Sequence, residues 1–107
     1  MIKLKNPEFE RNLVLSTGHM TKQDSEILEA AATGNPSTNL IVYSSEYWFL
    51  VFCADNNSMS NAAVARANGL ISEELYQCLV IGNEERCIFV KFDRDGPQND
   101  ELPLFDW

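Results

Sequence analysis

The sequence has little of what most catalytic and metal sites require. His19 is its one histidine, so a site that needs two imidazoles from the same chain is excluded. Cys53, Cys78 and Cys87 are odd in number and far apart, which excludes a disulfide framework and a closely spaced cysteine pair for zinc. We therefore expect no bound metal and no cofactor.

Long apolar runs are also missing. No run approaches the roughly 20 residues that span a membrane. Residues 1–7 lack the apolar stretch of a secretory signal. We therefore expect a cytoplasmic protein that does not bind membranes.

Positive charge is scarce. Eight lysine and arginine residues stand against 16 aspartate and glutamate residues, which gives a formal net charge of −8. Such a chain repels a phosphate backbone, so direct binding of DNA or RNA is disfavoured. An acidic balance most often provides solubility, and in a minority of proteins it imitates nucleic acid or attracts a basic partner.

The apolar content is sufficient for one core. The chain has 107 residues, of which 45% are hydrophobic, and chains below roughly 150 residues seldom divide into two folding units. We expect a single domain over residues 1–107, in which residues 93–107 form an acidic and aromatic C-terminal tail.

The first half of the chain predicts a strand, a helix and a hairpin. Residues 12–16 have the composition of a short strand. Thr21 and Asp24 form a capping-box pattern at the start of a helix that should end at about residue 33, before Gly34, Asn35 and Pro36. The two strands of the hairpin are rich in β-branched and aromatic residues and cover residues 40–43 and 47–53.

The second half predicts two helices and a strand. Residues 55–58 have the composition of a turn, and residues 61–67 that of a short helix, with Gly69 placed for a left-handed C-cap. Ser72 begins a third helix that runs to about residue 83. Residues 77–83 could instead belong to a hairpin with the final strand, residues 87–92, but we favour the helix.

The order β-α-β-β-α-α-β predicts an α+β, two-layer domain in which three helices lie mainly on one face of a mostly antiparallel sheet of about four strands. The strand over residues 47–53 is apolar on both of its faces, and helices on one side can cover only one of them. The other face requires the tail, a second subunit or a protein target as its cover. We expect the tail or a homodimer.

Two segments are candidate sites. A loop between the first strand and the first helix could hold an anion through exposed backbone N–H groups and its side chains, namely those of Thr17, Gly18, His19 and Thr21. Negative charge and aromatic side chains concentrate in the tail and predict a docking patch for a protein, formed by Asp93, Asp95, Asp100, Glu101, Phe105, Asp106 and Trp107. No Gly-x-Ser-x-Gly elbow and no basic neighbour of a cysteine marks a nucleophile, so we expect no enzymatic activity.

Three stretches, residues 12–19, 92–97 and 102–107, resemble a family of small proteins of unknown function encoded on bacterial plasmids, phages and other mobile elements. The resemblance implies a single compact domain and a mobile-element context, and it implies no mechanism. Members commonly have alanine before the histidine, where this chain has Gly18.

These observations lead to one expected function and two alternatives. The expectation is a non-catalytic protein-binding domain that inhibits a host defence complex, in the manner of an anti-CRISPR or another anti-defence protein. Its acidic surface would engage a basic, nucleic-acid-binding host complex. One alternative is a small ligand-binding protein or enzyme that uses the Gly18-His19 loop, and the other is a structural homodimer.

Overall fold

The computed structural model describes residues 1–35 and 37–107, so Pro36 of the predicted helix stop lies outside the described residues. The predicted element order is confirmed. The strands are β1 (Asn12–Ser16), β2 (Val42–Ser44), β3 (Trp48–Phe52) and β4 (Phe89–Asp93), and the helices are α1 (Lys22–Ala32), α2 (Asn56–Ala67) and α3 (Glu73–Glu84). A single 3₁₀ turn, Thr17–His19, follows β1.

The four strands form one mixed sheet in the order β1-β4-β3-β2. β1 and β4 are parallel, and the pairs β4-β3 and β3-β2 are antiparallel. The prediction of an α+β fold with a mostly antiparallel sheet is therefore confirmed. β1 and β4 are parallel and end at the same end of the sheet, because Ser16 is in register with Asp93.

The capping box at the start of α1 is confirmed and extends to a second helix. The Thr21 hydroxyl accepts from the Asp24 N–H, and the Asp24 carboxylate accepts from the Thr21 N–H, both at 3.0 Å. The same buried carboxylate accepts from the Ser72 N–H at 2.8 Å and from the Ser72 hydroxyl at 2.5 Å. Because Ser72 is the N-cap of α3, one carboxylate joins the starts of two helices.

The boundaries of α2 and α3 differ in how well the sequence predicts them. The predicted turn over residues 55–58 is wrong, because Asp55 caps α2 by accepting from the Ser58 N–H at 2.8 Å. Gly69 has the expected positive φ of 73° after α2. Residues 77–83 are helical, so the alternative hairpin is also wrong.

The core lies on one face of the sheet. Leu28, Leu75 and Leu79 from the helices are buried, as are Val51 and Val90 on alternate positions of the strands. Gly82 allows α3 to approach the sheet closely, since a Cβ at this position would lie 2.6 Å from a methyl group of Val90. In the described part of the chain, no helix combines the length and apolarity that crossing a membrane requires.

Candidate functional site

An open groove of about 1030 Å³ lies at the end of the sheet where β1 and β4 end. One wall is α1, a second is the β2-β3 hairpin, and a third is the C-terminal tail. The turn after β1 and the residue after β4 complete it. Its lining residues are Thr17, Gly18, Ser25, Glu26, Glu29, Ser44, Ser45, Glu46, Tyr47, Trp48, Phe49, Arg94, Phe105 and Trp107.

Five of the lining residues are aromatic. Tyr47, Trp48 and Phe49 come from the hairpin, and Phe105 and Trp107 come from the tail. Phe49 also packs against the core, whereas Tyr47 and Trp107 are 51% and 54% exposed. Large aromatic side chains left exposed around a concave surface are typical of sites that bind another molecule.

The charge of the groove is predominantly negative. Glu26 and Glu29 lie one helical turn apart on α1, and Glu46 lies in the hairpin turn; all three are exposed. Arg94 is the one basic residue among the lining residues, and its guanidinium carbon lies 5.7 Å from the centroid of the Tyr47 ring. The groove thus presents aromatic faces and carboxylates to the same volume.

The tail is held in place by residues 18–20. The Phe105 N–H donates to the Gly18 carbonyl oxygen at 2.8 Å, and the Trp107 indole N–H donates to the Met20 carbonyl oxygen at 2.9 Å. These bonds place the tail at the end of the sheet, whereas the sequence predicted that the tail or a homodimer covers the second face of β3. The tail is therefore a wall of the groove.

His19 supplies the other half of this attachment. Its side chain is completely buried, and its two ring nitrogens both bond to the tail. Nδ1–H donates to the Pro103 carbonyl oxygen at 2.9 Å, and Nε2 accepts from the Asn99 N–H at 2.8 Å. This pair of partners requires the tautomer that carries its proton on Nδ1.

The predicted anion loop has few free donors in this arrangement. The Gly18 N–H donates to the Ser16 hydroxyl at 3.0 Å, the Thr21 hydroxyl caps α1, and both nitrogens of His19 are occupied. Thr17 lines the groove. An anion would have to displace the tail from His19, and anion binding here stays a prediction.

The predicted acidic and aromatic patch is divided by the fold. Phe105 and Trp107 line the groove. Asp93 ends β4, where its carboxylate lies 3.6 Å from the Lys91 ammonium nitrogen. The remaining predicted residues are exposed and do not line the groove, namely Asp95, Asp100, Glu101 and Asp106.

Sequence reasoning missed the carboxylates that do line the groove. The spacing of Ser25, Glu26 and Glu29 places them on one side of a helix, which is a usable signal for a polar helix face. The sequence contains no signal that this face would oppose the hairpin, because that contact depends on the packing of α1 beside β2. It likewise contained no signal that His19 would be buried.

The cysteines lack the environment of a nucleophile. All three thiols are buried and free. Burial raises the pKa of Cys53 and of Cys78 from the ordinary 9.0 to about 11, with smaller contributions from Cys87 in the first case and from Asp24 and Glu74 in the second. Across residues 1–35 and 37–107, no cluster of three histidine, cysteine, aspartate or glutamate side chains is arranged to hold a metal ion.

The sheet face that points away from the helices is apolar as well. Leu50, Phe52 and Phe89 on this face are half-buried, and Tyr43 is 55% exposed. The Phe89 ring contacts Tyr43 and Phe52 edge-on, with centroids 6.0 Å and 5.6 Å apart. We call this surface, with Lys91 at its centre, the outer sheet face.

Fold and site define a two-layer α+β domain with an aromatic, acidic groove at one end of its sheet. The chain belongs to the DUF5983 family: residues 12–107 match the model described as the family of unknown function (DUF5983) C-terminal domain. The match begins at the first residue of β1. No curated protein and no solved structure matches the chain.

Proposed function

We propose that this domain is a non-catalytic protein-binding module whose groove receives a basic, extended segment of a partner protein. The observation that carries the proposal is the combination of five aromatic residues and three glutamates around one open cavity. Lysine and arginine side chains suit such a cavity, because their cationic ends interact with carboxylates and with aromatic faces, and their stems are apolar.

The protein contains an internal example of this chemistry. Arg94 lies over the ring of Tyr47 at the groove, with 5.7 Å between the guanidinium carbon and the ring centroid. Tyr47 therefore already presents its face to a cation. Trp107 is the other exposed aromatic side chain of the groove and would offer a ligand arginine a second ring.

The openness of the groove favours a peptide segment over a small metabolite. Pockets for small molecules typically enclose about 300–1,000 Å³ and cover most of their ligand. The groove has about 1030 Å³ and is open to solvent, so its ligand remains partly exposed. A short extended segment that enters and leaves the groove fits this shape.

Net charge supports the same class of partner. The formal charge of −8 produces a field that attracts basic surfaces and accelerates their encounter at low ionic strength. In the mobile-element context that the resemblance implies, the partner would be a basic, nucleic-acid-binding host defence complex, and the domain would inhibit it. Asp100 and Glu101, which are exposed in the tail, would add to this attraction.

The proposal can be tested by intrinsic fluorescence, because both tryptophans of the chain, Trp48 and Trp107, line the groove. An oligo-arginine peptide titrated into the full chain should change tryptophan emission saturably, and an oligo-glutamate peptide should not. The charge reversal Glu26→Lys/Glu29→Lys should weaken peptide binding about tenfold or more, since tenfold corresponds to about 1.4 kcal/mol.

The matched control is Glu84→Lys/Glu85→Lys, which changes net charge equally at the exposed end of α3, away from the groove. This control should weaken binding far less than the groove variant. If the two variants weakened binding equally, the interaction would be nonspecific electrostatic attraction. The absence of any saturable change at low ionic strength would refute the groove as a site for basic segments.

The alternative of a ligand-binding protein or enzyme centred on Gly18 and His19 has less support. Its one titratable ring is buried and bonded to the tail through both nitrogens. Substrate contact with His19 would require the tail to detach from residues 18–20.

A further inference from the structure

Residues 1–11 form an arm that is exposed along its whole length. Residues 2–5 of the arm carry Lys3 and Lys5 and no acidic residue, and Glu8, Glu10 and Arg11 follow closer to β1. The apolar side chains of the arm are also in solvent, with Ile2 89% and Leu4 73% exposed. A basic segment with unburied apolar side chains therefore accompanies an acidic domain with an open groove.

The arm has the pattern of an extended ligand. In residues 2–5 apolar and basic side chains alternate, so an extended backbone would place Ile2 and Leu4 on one side and Lys3 and Lys5 on the other. The groove offers both complements, aromatic walls for the apolar side and the carboxylates of Glu26 and Glu29 for the basic side.

The position of the arm favours the groove of another molecule over its own. The Arg11 carbonyl oxygen accepts from the Ile88 N–H at 2.8 Å, which fixes the base of the arm where β1 and β4 begin. The groove lies where these strands end, about 17 Å away for strands of five residues. The arm leaves the domain away from the groove and would have to reverse its course to enter it.

We propose that the groove binds the arm of a second copy of this chain, and that two copies exchange arms in a closed, twofold-symmetric dimer. This inference rests on the proposed preference of the groove for basic segments. In this reciprocal exchange each groove binds one arm, so the dimer is closed and neither groove stays empty. An occupied groove is closed to a foreign basic segment, so a partner would have to displace the arm.

Light scattering on the full chain tests the inference. At an ionic strength of about 0.1 M, where the Debye length is about 10 Å, repulsion between the two acidic bodies is screened while contacting charges still attract. The wild-type chain should then show twice the monomer mass of 12.1 kDa. At about 1 M, where the Debye length is about 3 Å, the mass should fall toward that of the monomer.

A charge swap identifies the contacting residues. Lys3→Glu/Lys5→Glu makes the arm acidic, and Glu26→Lys/Glu29→Lys makes the groove basic; all four positions are exposed, so neither variant should disturb the fold. Each variant alone should be monomeric at about 0.1 M ionic strength. An equimolar mixture should dimerise, because each arm then meets a groove of opposite charge. The control is the single substitution Glu84→Lys, because Glu85 lies 3.9 Å from Arg11 at the base of the arm; it should dimerise like the wild type.

Three outcomes would overturn the inference. One is a wild-type chain that stays monomeric at about 0.1 M ionic strength. Another is dimerisation of either variant alone, which would assign association to a surface other than the arm and the groove. The third is a charge-swap mixture that remains monomeric. Saturable binding of oligo-arginine without self-association would leave the proposed function standing, whereas failure of both experiments would refute both proposals.

Discussion

The Asp24 side chain connects the starts of two helices. It is completely buried, and its carboxylate accepts three hydrogen bonds, from the Thr21 N–H and from the N–H and hydroxyl of Ser72. A buried carboxylate is tolerated only when such donors replace water. The residue therefore acts as a clamp between α1 and α3.

Asp24→Asn should lower the free energy of unfolding by about 2–3 kcal/mol, because the amide NH₂ would face donors and leave buried groups unsatisfied. Urea denaturation followed by circular dichroism measures the change. The control is Asp55→Asn at the exposed cap of α2, where asparagine caps as well as aspartate and the expected change is below about 0.5 kcal/mol. Equal effects of the two substitutions would contradict the clamp.

Cys78 makes stability depend on alkaline pH. Burial, with contributions from Asp24 and Glu74, raises the pKa of its thiol to about 11, whereas the unfolded chain has the ordinary pKa of 9.0. The folded state therefore prefers the neutral thiol. Its contribution to stability is fully present below pH 9.0 and is lost as the pH rises through about 11.

The test compares the wild type with Cys78→Ala across this interval by urea denaturation. The free energy of unfolding should fall more steeply with pH in the wild type, because lysine and tyrosine titrations are common to both proteins and cancel in the difference. Parallel curves for the two proteins would refute a role for the Cys78 thiol.

The tail is the element whose position the sequence predicted least well. Its composition indicated a docking segment, but its attachment depends on His19, and a lone histidine in a loop gives no sign of burial. Both ring nitrogens find partners only after residues 99 and 103 return to β1 from beyond β4. Such long-range pairing has no periodic signature in a sequence.

His19→Ala should release the tail, since it removes the donor to Pro103 and the acceptor from Asn99. Limited proteolysis should then cut residues 98–107 faster, and the emission of Trp107 should shift to longer wavelength. Trp107→Phe is a milder comparison that removes one hydrogen bond to Met20 and keeps an aromatic ring. Unchanged proteolysis of the His19 variant would show that the tail is held by other contacts.

Helix boundaries show which structural features can be predicted from the local sequence. The starts of α1 and α3 follow from local chemistry, because Thr21 and Ser72 each cap through their own hydroxyl. The start of α2 was predicted five residues too late. Aspartate, asparagine and serine favour both turns and N-caps, so the composition of residues 55–58 does not separate the two.

At the scale of the whole molecule, the sheet divides one core face from one outer face. The sequence predicted that β3 is apolar on both sides, and the structure shows Val51 buried and its neighbour Leu50 on the outer sheet face. A strand normally has one polar side in a two-layer fold. The outer sheet face is therefore a second surface on which association can be measured.

Adjacent substitutions test this division. Leu50→Glu should alter the free energy of unfolding by less than about 1 kcal/mol, because the new carboxylate lies opposite Lys91 in the sheet register. Val51→Glu, one residue away, should prevent folding, because it buries an unpaired charge in the core. Thermal denaturation compares them, and two equally unfolded variants would contradict a one-sided core.

The bond between the tail and His19 also gives the protein an internal spectroscopic reporter. With one histidine in the chain, the imidazole Nδ1–H gives a single resonance, and the indole N–H of Trp107 gives one of only two from tryptophan. Both protons are shielded from exchange with water only while the tail is docked. A one-dimensional proton NMR spectrum in water would therefore report, without any label or substitution, the fraction of molecules whose tail is docked.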